Sequence, residues 1–191
     1  MLTLEEIFNA RSCYEFSEKA IEKKIIYKIY NLMKLGPTSA NSMPIRIFFV
    51  ESKDAKLKLL ECVNSSNKNF VQNAPLTVLF AYDKNFYSKM DYLFPHNKNL
   101  QKIYAENKML SDETALRNSS LQAAYFLMIA RGFGLSCGPI SGFNTNRINE
   151  LFFSNSTYKI NFLCILGYSK IKKHKFERLP KLDFEFVTKF L

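Results

Sequence analysis

The sequence has no tryptophan, two histidines, and six residues each of glycine and proline among its 191. So little glycine and proline excludes a collagen-like or low-complexity chain. Two histidines, His96 and His174, leave little from which to build a zinc site. The four cysteines, Cys13, Cys62, Cys137 and Cys164, are too far apart for metal-ligand spacing or a Cys-x-x-Cys pair. No run of eighteen apolar residues occurs, so no membrane span is expected. Residues Met1 to Glu6 carry neither the basic flank nor the apolar core of a secretory signal. A cytoplasmic chain with reduced thiols is therefore expected. A phosphate loop ending in Gly-Lys-Ser/Thr is missing, as is a Gly-x-Ser-x-Gly elbow. Gly132-Phe133-Gly134 follows a helical stretch, which makes it a helix stop and not a dinucleotide fingerprint. Both histidines stand in polar, loop-like surroundings, so a Ser-His-Asp triad has no obvious base.

What is present is an ordinary globular composition, 47% hydrophobic and 23% charged, with 18 Phe and 10 Tyr. The length fits a single domain over 1–191 with a sizeable core. Lys and Arg number 27 against 17 Asp and Glu, a net charge of +10. Most of that surplus is lysine scattered along the chain. The densest cluster is Lys170, Lys172, Lys173, Lys175, Arg178 and Lys181. A base-reading face leans on arginine forks and interleaved stacking aromatics, and none is visible, so no nucleic-acid partner is expected.

Periodicity divides the chain into helices and strands. Thr3 and Glu6 form a capping box for a short helix over 3–10. Glu22 to Leu35 repeats apolar residues at helical spacing and stops at Gly36-Pro37. Residues 45–50 and 76–81 are β-branched and aromatic, as strands are. Ser52 caps a helix carrying Leu57, Leu59 and Leu60. Asn64 to Asn73 is polar and reads as loop. Residues 83–110 read as short helices and loop. A long helix runs from Ser111 to about Arg131, and its second half is apolar almost all round except at Gln122, which predicts burial in the centre of the fold. Leu135 to Ile140 is a short strand, Asn144 caps a helix, and Ile160 to Leu166 is a fourth strand. The tail over 168–191 has few regular signals. Strands and helices intermingle, so the class is α/β or α+β in one domain.

Two clusters of small and polar residues stand at element ends. One is Gly36-Pro37-Thr38-Ser39-Ala40-Asn41-Ser42, between a helix and a strand. The other is Gly138-Pro139-Ile140-Ser141-Gly142-Phe143, after the short strand. Either alone is turn chemistry. Two further signatures accompany them in order: Arg11-Ser12 behind the first helix, and Leu166-Gly167-Tyr168 followed by Arg178-Leu179-Pro180. The ordered set resembles the FMN-dependent nitroreductase family. Within it, Glu113 to Tyr125 and the two clusters look nearest to the subgroup that includes malonic semialdehyde reductases. The chain departs from the common family pattern at Tyr14, Met43, Phe70 and Ser141.

The resemblance implies a central, mostly antiparallel mixed sheet flanked by helices, a long buried central helix, and a C-terminal tail exchanged in a homodimer. It implies FMN as cofactor, with NAD(P)H as a transient hydride donor and a small-molecule electron acceptor: a 3-oxo acid like malonic semialdehyde, a nitro compound or a quinone. Arg11, Ser12 and Arg178 match the phosphate positions, where guanidinium forks and hydroxyls suit a dianion. Ser39, Asn41, Asn67 and Asn118 match donors along the ring edge. Pro139 and Ile140 match the apolar cover of the ring face. The backbone amides of Ser141 and Gly142 match donors to the hydride-accepting ring nitrogen. No protein acid or base is required, since the cofactor carries the chemistry. Arg46 or Arg117 could hold an acid substrate, or either could sit in an ion pair. A flavin-free binding protein that retains the fold is the alternative.

Overall fold

The computed structural model describes residues 2–171 and 176–191. Most of the lysine cluster at the start of the tail, and His174, fall on 172–175, outside the described residues. A four-stranded sheet forms the middle, built from β1 (Ile45–Val50), β2 (Leu76–Asp83), β3 (Ser136–Ile140) and β4 (Tyr158–Gly167). Its order is β1-β2-β4-β3, and every pairing is antiparallel. The two central strands are buried on both faces, which explains their unbroken apolar runs.

Alternation along those strands sorts the helices. Val78 and Phe80 of β2, with Cys164 and Leu166 of β4, pack against α2 (Lys23–Met33) and α7 (Lys108–Gly132). Leu79, Ala81, Leu163 and Ile165 point the other way, onto α3 (Lys53–Cys62), α4 (Ser65–Asn73) and α8 (Thr145–Phe153). Phe126 is completely buried and meets Phe80 edge-on, with ring centroids 5.2 Å apart. Fully burying such a ring contributes about 1.5–3 kcal/mol. At a break in register between β2 and β4, Asn161 turns its amide onto the hydroxyls of Ser119 and Ser120, which ties β4 to α7.

Several expected boundaries hold. Thr3 and Glu6 form the capping box of α1 (Leu4–Asn9). Ser52 and Asn144 cap α3 and α8. Two expectations need correction. Residues 64–73 form helix α4, not a loop. Val71 is fully buried and the ring of Phe70 packs on Tyr14, so tertiary contact overrides the weak helix propensity of Asn and Ser. The long helix begins at Lys108, because Asn107 accepts a hydrogen bond from the Leu110 amide and so caps it earlier. Between β2 and α7 the chain makes a 3₁₀ turn over Phe86–Lys89 and two short helices, α5 (Met90–Leu93) and α6 (Leu100–Glu106). Phe86, Met90 and Tyr104 give this insert its own small core against Ala115 of α7. Among its described residues the tail carries one short helix, α9 (Phe184–Val187), and its side chains Phe184, Phe186, Phe190 and Leu191 are exposed.

Candidate active site

The segment after α1 is held along the edge of the sheet. The Cys13 amide donates to the Cys137 carbonyl, the Ser17 amide donates to the Tyr168 carbonyl, and Phe16 bridges to Ser169. Gly138 leaves room for this approach, since a Cβ there would collide with the Cys13 carbonyl. Arg11 therefore meets the tail. Its Nη1 donates to the Phe176 carbonyl at 2.7 Å and its Nη2 to the Glu177 carbonyl at 3.3 Å. Arg178 reaches back, its Nη2 donating to the Asn9 carbonyl at 2.5 Å. All three acceptors are neutral. Among the described residues neither guanidinium meets a carboxylate, so two cations are fixed near one another with their charge uncompensated. Ser12 is exposed beside them.

The second cluster lies at the end of β3. Pro139 and Ser141 are exposed, whereas Ile140 is turned into the core. The Gly142 carbonyl accepts from the Asn64 amide at 3.0 Å and from Asn67 Nδ2 at 3.1 Å. Any Cβ at Gly142 would strike that Asn67 nitrogen, which is why glycine stands there. The amides of Ser141 and Gly142 make no hydrogen bond among the described residues. Helix α4, missed in the sequence, is what brings Asn67 to this place.

The third group is the turn before β1. Ala40, Asn41 and Met43 all have positive φ, at 48°, 52° and 42°. Each such non-glycine residue costs about 1–2 kcal/mol. Five hydrogen bonds from other elements hold the turn: Tyr125 OH to the Pro37 carbonyl, the Ser39 amide to Asn118 Oδ1, Asn41 Nδ2 to the Leu93 carbonyl, the Asp83 amide to the Pro44 carbonyl, and the Ile45 amide to Gln122 Oε1. At about 1 kcal/mol each they are of the size needed. Asn118 is buried behind the turn, its Nδ2 donating to the Thr114 carbonyl and its Oδ1 accepting from the Ser39 amide. Ser39 and Asn41 themselves are exposed.

The structure thus brings Arg11, Ser12, Arg178, Asn67 and Pro139–Gly142 to one edge of the sheet, and Ser39, Asn41 and Asn118 to the other. The two edges are three interstrand spacings apart, about 14 Å, and no hydrogen bond joins the two sets among the described residues.

Neither arginine considered for an acid substrate is free. Arg46 pairs with Asp83 at 2.6 Å, and Asp83 also accepts from Thr157 Oγ1 and the Asn85 amide. Arg117 pairs with Glu113, one turn earlier on α7, at 3.6 Å. The sequence gives no sign of the roles of Asp83, Asn64 and Tyr125. Gln122 had left a signal, as a lone polar residue in an apolar helix. All four cysteines are buried, and burial pushes the thiols of Cys62 and Cys164 up, with the neighbouring Cys137 adding to the effect on Cys164. Among the described residues no group of His, Cys, Asp and Glu could hold a metal ion, and no helix is long and apolar enough to cross a membrane.

A layered α+β fold with small-residue turns at its sheet ends defines a class, and comparison with known proteins agrees. The model of the nitroreductase family matches residues 7–168. A Ralstonia nicotianae protein provisionally named NADH dehydrogenase/NAD(P)H nitroreductase is 37% identical over 189 residues, covering 98% of this chain and 96% of its own. A Ralstonia pickettii protein with the same provisional name and the designation HadB is 40% identical, covering 96% and 95%. Among solved structures, an FMN-complexed nitroreductase from Exiguobacterium sibiricum superposes with a TM-score of 0.84 at 19% identity, covering 100% and 98%. The chain belongs to the nitroreductase family, and it is an oxidoreductase.

Proposed function

We propose that this protein is an FMN-dependent NAD(P)H oxidoreductase acting as a homodimer. The observation that carries the reading is the pair Arg11 and Arg178, oriented by neutral carbonyls and left without a carboxylate among the described residues. A phosphate dianion satisfies both, with the Ser12 hydroxyl as a further donor. Asn67 and the amides of Ser141 and Gly142 are the donors for the ring, and Pro139 is the exposed apolar surface beside them. When bound, FMN supplies the redox chemistry, taking a hydride from NAD(P)H and passing it to an oxidant. The protein's own part is to bind, orient and exclude water.

Ser39 and Asn41, at the far edge of the sheet, serve the flavin bound mainly by the partner copy. Two features of one chain support this. Among the described residues no strand pairs with the outer edge of β1, and beside it a groove of about 380 Å³ is lined by Tyr27, Tyr30, Ile45, Ile47, Phe49 and Phe126. The tail exposes Phe184, Phe186 and Phe190. An apolar tail from a second copy laid along that edge covers both surfaces and satisfies strand groups that otherwise invite stray pairing.

The oxidant is a small molecule: a 3-oxo acid such as malonic semialdehyde, a nitro compound or a quinone. With Arg46 and Arg117 engaged in ion pairs, a carboxylate substrate would be held by backbone amides or by FMN's own surroundings. The test is anaerobic titration of the purified protein with NADPH or NADH. A flavin absorbance that bleaches without added oxidant, and returns on adding an acceptor, is expected. A colourless protein whose melting temperature ignores added FMN overturns the reading, as does a monomer by sedimentation.

A further inference from the structure

We infer that Gln122 and Tyr125 are positioning residues, which act through the strained turn over 37–45 to fix where Ser39 and Asn41 stand. The inference rests on the proposed FMN site, and adds to it a second tier that touches no cofactor. Asn118, Gln122 and Tyr125 follow one another at i, i+4 and i+7, so they form a single stripe along α7. Each spends its polar group on the backbone of the same turn: Asn118 at Ser39, Gln122 at Ile45, Tyr125 at Pro37. The three bonds span the three positive-φ residues between them. The turn also has bonds of its own, from the Asn41 and Ser42 amides to the Thr38 and Ser39 carbonyls, but those close within it and do not locate it against the fold.

The burial pattern sharpens the point. Gln122 is fully buried among Phe126, Ala123 and the start of β1, where an apolar residue would pack at no polar cost. Among the described residues its Nε2 finds no partner, and Ser42 Oγ on the turn is likewise buried and unpartnered. A buried amide whose two N–H donors lack partners is an expensive choice. It is explained if its acceptor is needed at the Ile45 amide, the last anchor before β1 takes over. Tyr125 adds a steric element. Its ring lies where a Cβ on Gly36 would be, so the glycine, the ring and the hydroxyl together set how the chain leaves α2.

The experiment uses the full-length protein and two mild variants, Tyr125→Phe, which keeps the ring against Gly36, and Gln122→Leu, which keeps the volume. Hydrogen–deuterium exchange is read first, without flavin. Exchange in 39–45 is expected to quicken by about tenfold in either variant, while Phe48 and Val78 on β1 and β2 keep wild-type protection. FMN is then titrated by fluorescence. Its Kd is expected to rise about tenfold, with a shift of the flavin absorption band. Unchanged exchange over 39–45, or exchange raised everywhere, overturns the positioning role. Local loosening with wild-type FMN affinity also overturns it, since the turn would then not matter to the cofactor. Failure of the parent reading looks different: the unmutated protein itself takes up no FMN. That result would remove the cofactor half of the inference, while the exchange data would still decide whether the stripe holds the turn.

Discussion

Arg11 and Arg178 each hold the other's backbone: Arg178 donates to the carbonyl of Asn9, two residues before Arg11, and Arg11 donates to the carbonyls of Phe176 and Glu177, just before Arg178. The segments around residues 9–11 and 176–178 are latched by these cations, and among the described residues neither cation meets a carboxylate. Charge-assisted bonds to an anion are worth about 1.5–3 kcal/mol. Replacing either arginine with alanine should therefore weaken FMN binding by roughly ten- to hundredfold. The melting temperature should fall little, because neither side chain is buried. Lysine should restore part of the affinity, since it keeps the charge and loses the fork. Fluorescence titration with FMN checks all three variants. An Arg178→Ala protein with wild-type affinity would remove the tail from the site.

Gly142 and Asn67 form a matched pair, because the Asn67 amide occupies the space a Cβ at Gly142 would need. Gly142→Ala should cost about 1–3 kcal/mol in stability, as overpacking does, and should also weaken FMN binding. Asn67→Ala vacates that space. The double variant should then be more stable than the sum of the single effects predicts, a coupling of about 1 kcal/mol. Urea melts of the four proteins measure it. Additive losses would mean that the backbone at Gly142, not the Asn67 side chain, sets the constraint.

What could be read from the sequence follows from where the information lies. The helix over 22–35 declares itself by a periodic apolar face, and the strands at 45–50 and 76–81 by short β-branched and aromatic runs that the fold buries. Helix α4 does not, because Val71 and Phe70 alone carry its packing among Asn, Ser, Lys and Gln. The candidates Arg11, Ser12 and Gly142 stand out in the sequence only through their order along the chain. Their grouping does not, since it depends on α4, on the sheet order β1-β2-β4-β3, and on a tail that returns to Asn9. Asn118 matches a ring-edge donor by its place in the sequence, and in the fold it stands behind the turn, where its Oδ1 accepts from the Ser39 amide. Spacing shows which residues share a helix face, but not what that face meets.

Arg46 is a structural cation. Its Nη2 lies 2.6 Å from Asp83, its Nη1 donates to the Met43 and Ile45 carbonyls, and its guanidinium lies over Tyr158. Asp83 is largely buried and has Thr157 and Asn85 as further donors. Removing one partner of such a pair strands the other. Arg46→Ala should destabilise by about 2–4 kcal/mol, toward the lower part of the range for buried pairs because Arg46 is partly exposed. Arg46→Met with Asp83→Leu should recover much of that loss. The discriminating measurement is the KM for a 3-oxo acid set against that for a quinone. Both should move together, or not at all. A selective rise for the acid would return Arg46 to the substrate site.

The thiols give a prediction about pH. All four cysteines are buried, and burial raises Cys62 and Cys164, the latter further through the Cys137 thiol beside it. The thiolate is the reactive form. The folded protein should therefore react slowly with a thiol reagent at neutral pH, and the unfolded protein should yield four thiols per chain. The same shift bears on stability. Unfolded, these thiols ionise near their ordinary value of about 8.5, whereas in the fold they hold their protons to higher pH. Their contribution to stability is then fully present below about pH 8 and is lost as pH rises past the unfolded value. Urea midpoints should fall between about pH 7 and pH 9.5, and Cys164→Ala should flatten that fall while lowering the midpoint throughout, through the cavity it leaves. An alanine variant with the same pH slope as the parent would assign the loss to lysine and tyrosine titration instead.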